Sequence, residues 1–122
     1  MRLTLEEALD RIIAADLPGF MDRPIDSVHS RAKSGDQPLH IAALWGDTDL
    51  IEAFLVAGAD IDSQGEDGFT PLHYAIEQDK AEAARLLIAR GADLHLKDSM
   101  FSQSAIEFLA ASKNPSMRAL WA

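Results

Sequence analysis

The segment Pro38-Leu39-His40-Ile41-Ala42 recurs as Pro71-Leu72-His73-Tyr74-Ala75, 33 residues further on. A second landmark, Gly58-Ala59-Asp60, recurs as Gly91-Ala92-Asp93 at the same separation. Two independent motifs at one period of this length point to a solenoid, because a unit so short cannot bury its apolar face alone and must stack on its neighbours. Between the landmarks each unit carries two short helical patterns. In the second unit these are about Pro71–Gln78 and Ala81–Ala89.

Each landmark has a physical reason. Pro38 and Pro71 suit the first turn of a helix, where the missing N–H would be unpaired anyway. Thr70 precedes Pro71 as an N-cap, and Gln37 in its place should cap the first unit more weakly. Leu39 and Leu72 point to the core, and the small Ala42, Ala43 and Ala75 let helices approach closely. Gly58 and Gly91 follow apolar helical runs, where a left-handed terminating residue is expected. The runs Leu50–Leu55 and Ala84–Ile88 are too densely apolar for a lone exposed helix and suit one packed on two sides.

These residues resemble the ankyrin repeat, which joins a glycine turn to Thr-Pro-Leu-His-x-Ala and then to a second helix ending in Gly-Ala-Asp. The second unit, Gly68 to Asp93, matches nearly throughout, and the first, Gly35 to Asp60, departs only at Gln37. The resemblance covers about residues 28–97. It implies an all-α, ankyrin-like solenoid of helix–turn–helix repeats with short β-turn fingers. Fingers and first helices would line a concave surface. It further implies that His40 and His73 are structural, their ring nitrogens bonding backbone and the capping hydroxyl.

The ends are less regular. Thr4-Leu5-Glu6-Glu7 reads as a capping box, opening a helix to about Ala15 with Leu5, Ala8, Leu9, Ile12 and Ile13 on one face. The stretch from Asp16 to Ser27, with Pro18, Gly19 and Pro24, reads as a loop. A degraded third unit places Ser104–Ala110 where the Pro-Leu-His segment belongs, with one extra residue in the loop before it. Asn114 and Pro115 then open a last helix, Ser116–Trp121. The expected organisation is therefore a cap over 1–27, repeats over 28–60 and 61–93, and a capping repeat over 94–122. A terminal repeat is atypical because its outer face meets water.

Composition narrows the function. Twenty acidic against 11 basic side chains give a formal charge of −9, which disfavours nucleic acid and anionic membranes and suits a basic protein partner. The absence of cysteine removes disulfides and thiolate metal sites. Acidic residues near the start and the lack of a long apolar run suggest a cytoplasmic protein.

No enzyme and no cofactor are expected. His29 and His95 lack a second ligand at metal-binding spacing. The pairs Asp60/Asp62 and Glu66/Asp67 sit in turns that solvate both acids rather than shifting one of them. Partner-binding candidates are the positions where the repeat pattern is free to vary. These are Lys33, Ser34, Asp36, Leu44 and Trp45 in the first unit, then Glu66, Asp67, Phe69, Tyr74, Glu77 and Gln78 in the second. Ser99, Met100, Phe101 and Ser102 follow in the third. Trp45 either anchors a partner, as tryptophan does at binding hot spots, or packs on the N-terminal cap. Trp121 either seals the last repeat or supports a dimer, so a monomer or weak dimer is expected. The reading is a non-catalytic module that binds another protein. Its narrower forms are an adaptor or an immunity-type inhibitor of a basic toxin or nuclease. A small metal-dependent hydrolase built on the His and Asp residues is the reading from another class.

Overall fold

In a computed structural model, which describes residues 3–15, 17 and 25–120, the helices form two rows. The inner row is α2 (Pro38–Trp45), α4 (Pro71–Glu77) and α6 (Ala105–Ala111). The outer row is α1 (Leu5–Ala14), α3 (Thr48–Val56), α5 (Ala81–Ala89) and α7 (Pro115–Arg118). Within each row a helix packs on the next, and α2–α3, α4–α5 and α6–α7 pair across the rows. The expected cap helix α1 thus extends the outer row, resting on α3 and α2. Among the described residues there is no strand, only an isolated antiparallel bridge between Lys97 and Ser104.

The inner helices lie close because alanine faces alanine: Ala42, Ala43, Ala75 and Ala105 are fully buried. Larger side chains fill the space between rows, with Leu39, Leu50, Ile51, Phe54, Leu72, Leu87, Leu109 and Met117 all inaccessible. Burial of this kind supplies most of the stability of helices too short to persist alone.

The helix ends follow the sequence. Thr4, Thr70 and Ser104 cap α1, α4 and α6 with their hydroxyls, while the Gln37 amide at the start of α2 donates to the His29 carbonyl. At the ends of α3 and α5, Gly58 and Gly91 adopt φ of +96° and +93°. Their N–H groups donate to Leu55 and Ile88, and those of Ala59 and Ala92 to Phe54 and Leu87. This is the pair of bonds by which a left-handed residue satisfies the last carbonyls of a helix.

Three fingers repeat at the same period. Each is closed by one backbone bond, from Ala32 to Asp36, Gly65 to Phe69 and Asp98 to Gln103. The third spans one residue more, which is where the sequence carries its extra residue. Side chains tie the fingers together at matching positions. Arg31 donates to the Gly35 and Gln64 carbonyls, and Gln64 to the Gly68 and Lys97 carbonyls.

The two motif histidines join each inner helix to the following unit. His40 Nδ1 accepts the Gln37 N–H at 2.9 Å and Nε2 lies 2.8 Å from the Ser63 carbonyl. His73 Nδ1 accepts the Thr70 N–H at 3.2 Å and Nε2 lies 3.0 Å from the Gln103 carbonyl. An Nδ1 that accepts carries no proton, so Nε2 is the donor and both rings are neutral. Burial lowers both pKa values below the usual imidazole range, against the opposing pull of Asp36 and the Ser63 carbonyl on His40 and of the Gln103 carbonyl on His73.

Two expectations about the chain ends need correction. Leu5 and Ile13 of α1 are exposed, because α3 and α2 reach only Ala8, Leu9 and Ile12. The last helix ends at Arg118, with Ala119 as its C-cap, rather than running to Trp121. Trp121 and the Pro18, Gly19 and Pro24 of the expected loop lie outside the described residues.

Gly58→Val and Gly91→Val should each lower stability by about 1–3 kcal/mol, the range for strained backbone. No atom lies within 4 Å of a Cβ built at either position, so the loss is conformational and not steric. Asparagine, which tolerates positive φ, should therefore recover part of it in urea denaturation; equal losses for Val and Asn would overturn this account. The histidines set a pH dependence. A ring held neutral in the folded state stabilises fully above the unfolded pKa of about 6.5, and the contribution falls as pH drops through that value. The unfolding free energy, and with it the urea midpoint, should decline below pH 6.5, by up to about 1.4 kcal/mol of free energy per pH unit for each ring. A flat midpoint across this window would contradict the burial of neutral imidazoles.

Candidate functional site

Several of the variable positions are exposed at the three finger tips and at the ends of the inner helices α2 and α4. Lys33 is exposed at the first tip, Glu66 and Asp67 at the second, and Met100 and Phe101 at the third. Met100 and Phe101 are 55% and 57% exposed, high values for large apolar side chains. The second and third tips are held together where the Ser99 N–H donates to the Asp67 carbonyl at 2.8 Å. Glu77 and Gln78 are exposed at the end of α4. At the end of α2, Leu44 is half-buried and Trp45 is 37% exposed, outside the apolar cluster that forms the core.

Asp36 and Phe69, expected among these exposed positions, are instead buried. Asp36 accepts the Glu66 N–H at 3.0 Å and the Tyr74 hydroxyl at 3.0 and 3.1 Å. It approaches so near the second finger that a Cβ on Gly65 would stand 2.2 Å from its Oδ1. Tyr74 is accordingly half-buried, and burial together with Asp36 pushes its pKa well above the usual phenol range. Phe69 is the floor of an aromatic cluster. Its ring centroid lies 5.5 Å from Tyr74, 5.8 Å from His73, 6.1 Å from Phe108 and 6.3 Å from Phe101.

Phe108 was not among the sequence candidates. It falls 34 residues after Tyr74, the same register once the extra loop residue is counted, and that count is the signal that could have found it. Beside it a cavity of about 380 Å³ opens between the ends of α4 and α6. Ile76, Phe108 and Ala111 provide apolar walls, and Glu77, Asp79, Gln103, Lys113 and Asn114 the polar ones.

The charges of the two sides differ in how they are used. Around the outer row, Arg85 pairs with Glu82, Arg90 with Glu52 and Arg11 with Asp47. On the finger side, the Glu66, Asp67 and Glu77 carboxylates make no hydrogen bond or ion pair among the described residues. His29 and His95 are exposed in loops, and no three His, Asp or Glu side chains among the described residues are grouped to hold a metal ion. No helix of the described residues is long and apolar enough to cross a membrane.

A family model described as ankyrin repeats (3 copies) matches residues 7–98. Its match begins inside α1 and ends in the third finger. Protein phosphatase 1 regulatory subunit 12A of Rattus norvegicus is 35% identical over 85 residues, 70% of this chain and 8% of that protein. Rabankyrin-5 of Homo sapiens is 37% identical over 65 residues, 53% of this chain and 6% of that protein. Protein phosphatase 1 regulatory subunit 27 of Mus musculus is 39% identical over 69 residues, 57% of this chain and 43% of that protein. The chain therefore spans less than a tenth of the first two of these relatives and under half of the third. The shared period, the helix pairs, the left-handed glycines and the family match together place this chain in the ankyrin repeat family.

Proposed function

We propose that the chain is a non-catalytic module that binds another protein through its finger and inner-helix surface. The carrying observation is the exposure of Met100, Phe101 and Trp45, together with three carboxylates, Glu66, Asp67 and Glu77, that are unpaired among the described residues. Large apolar groups open to water cost free energy that a partner recovers by covering them, and a polar rim around an apolar centre is the usual anatomy of an interface. The relatives named as regulatory subunits support binding over catalysis. The units 28–60 and 61–93, flanked by capping segments 1–27 and 94–122, are the proposed divisions of this module.

The acidity of the face favours a basic partner, and with it an inhibitor that masks a basic protein. Unpaired Glu66, Asp67 and Glu77 would steer such a partner and raise its association rate more than its final affinity.

Affinity capture from native lysate supplies the partner for both tests. Trp45→Ala and Phe101→Ala should each weaken the complex by about 2 kcal/mol or more in calorimetry, with the free protein's urea midpoint nearly unchanged. Full-affinity binding by both variants would remove this surface from the interface. Association should slow with added salt, and Glu66→Lys with Asp67→Lys should reproduce that slowing in dilute buffer. DNA and anionic vesicles should stay unbound. An association rate indifferent to salt and to both reversals would eliminate the basic partner.

A further inference from the structure

The cavity between α4 and α6 carries a more specific reading, which rests on the protein-binding function proposed above. We propose that it seats a basic side chain of the partner, with an apolar side chain of the same segment held against Phe101.

The walls match a group that is apolar along its length and cationic at its end. Ile76, Phe108 and Ala111 line one part of the space and suit the methylene stem of lysine or arginine, which buries its carbons while its head stays polar. Glu77 and Asp79 line another part. Asp79 Oδ1 accepts the Asn114 amide at 2.8 Å, which fixes this carboxylate in place. Glu77 is exposed and makes no such bond among the described residues, so its charge is available to a guest. Lys113 also borders the space, leaving one net negative charge from the two acids and one base.

Other guests fit less well. An anionic side chain meets two carboxylates. A purely apolar one strips water from Glu77 without replacing its hydrogen bonds, an uncompensated cost. A cation replaces those bonds with charge-assisted ones.

Phe108 also sets the spacing. Its ring forms part of the cavity wall, and its centroid lies 6.5 Å from that of exposed Phe101. Alternate side chains of an extended segment stand about 7 Å apart on one face. An apolar residue over Phe101 and a basic residue in the cavity are therefore compatible with positions i and i+2 of such a segment.

The test uses a random peptide library displayed against the intact protein. Selected peptides should share an apolar residue and an arginine or lysine two positions apart. Glu77→Lys should weaken them by about tenfold or more, the scale of a lost hydrogen bond to a charged group. Its own urea midpoint should hold. Changing the peptide's basic residue to glutamate should abolish binding to the parent protein and restore it to the Glu77→Lys variant, a reciprocity that a general charge effect over the surface does not produce. Selected peptides without a fixed basic position, basic peptides indifferent to Glu77→Lys, or an empty selection would overturn the proposal. Peptides lacking a basic residue but lost on Phe101→Ala would overturn the cation seat while leaving the binding face in place.

Discussion

The stack depends on a neutral imidazole at each joint. His40 and His73 accept a backbone N–H at the start of their own helix and donate to a carbonyl of the following unit. The three groups are thereby paired in a place that water scarcely reaches, where an unpaired polar group costs roughly 1–3 kcal/mol. Neither lysine nor an aliphatic residue could do this, since the role needs one acceptor and one donor on opposite sides of a small rigid ring. The joint also ties α2 and α4 to the backbone of the following unit.

The remaining polar groups divide by position. Those between units are consumed by the frame: Asp36 binds the second finger and the Tyr74 hydroxyl, and Arg31 and Gln64 bridge finger carbonyls. Several charges of the outer row are paired among themselves. What the frame does not use lies at the tips and at the end of α4, where Met100, Phe101, Glu66, Asp67 and Glu77 are exposed. A repeat fold separates these duties because positions inside a joint must satisfy each other, whereas positions at a tip touch little of the protein. That leaves the tip residues free to serve recognition.

Much of this was legible in the chain. The 33-residue period, the Thr70 cap and the Gly58 and Gly91 terminators are local features whose cause lies within a few residues, and the structure places each accordingly. The contact face was legible only in part. Asp36 and Phe69 stand at variable positions, and variability along the chain does not distinguish a tip from the space beneath one. Their burial arises from the second and third fingers folding over them. Phe108 was overlooked because one added residue shifts its register, and a strict period passes over it.

By itself, the sequence determined the repeat period and the caps and glycine turns that bound its helices, because these are enforced by covalent geometry and by neighbours in the chain. It also determined the acidity of the whole molecule. Only the tertiary structure decided which acids remain unpaired, which aromatic rings meet, and that a cavity opens between Glu77 and Phe108. Phe69 meets Phe101, and His73 meets Phe108, across more than 30 positions of the chain. The geometry of these contacts depends on how the alanine-rich inner helices pack and on the bonds by which His40 and His73 hold the following unit.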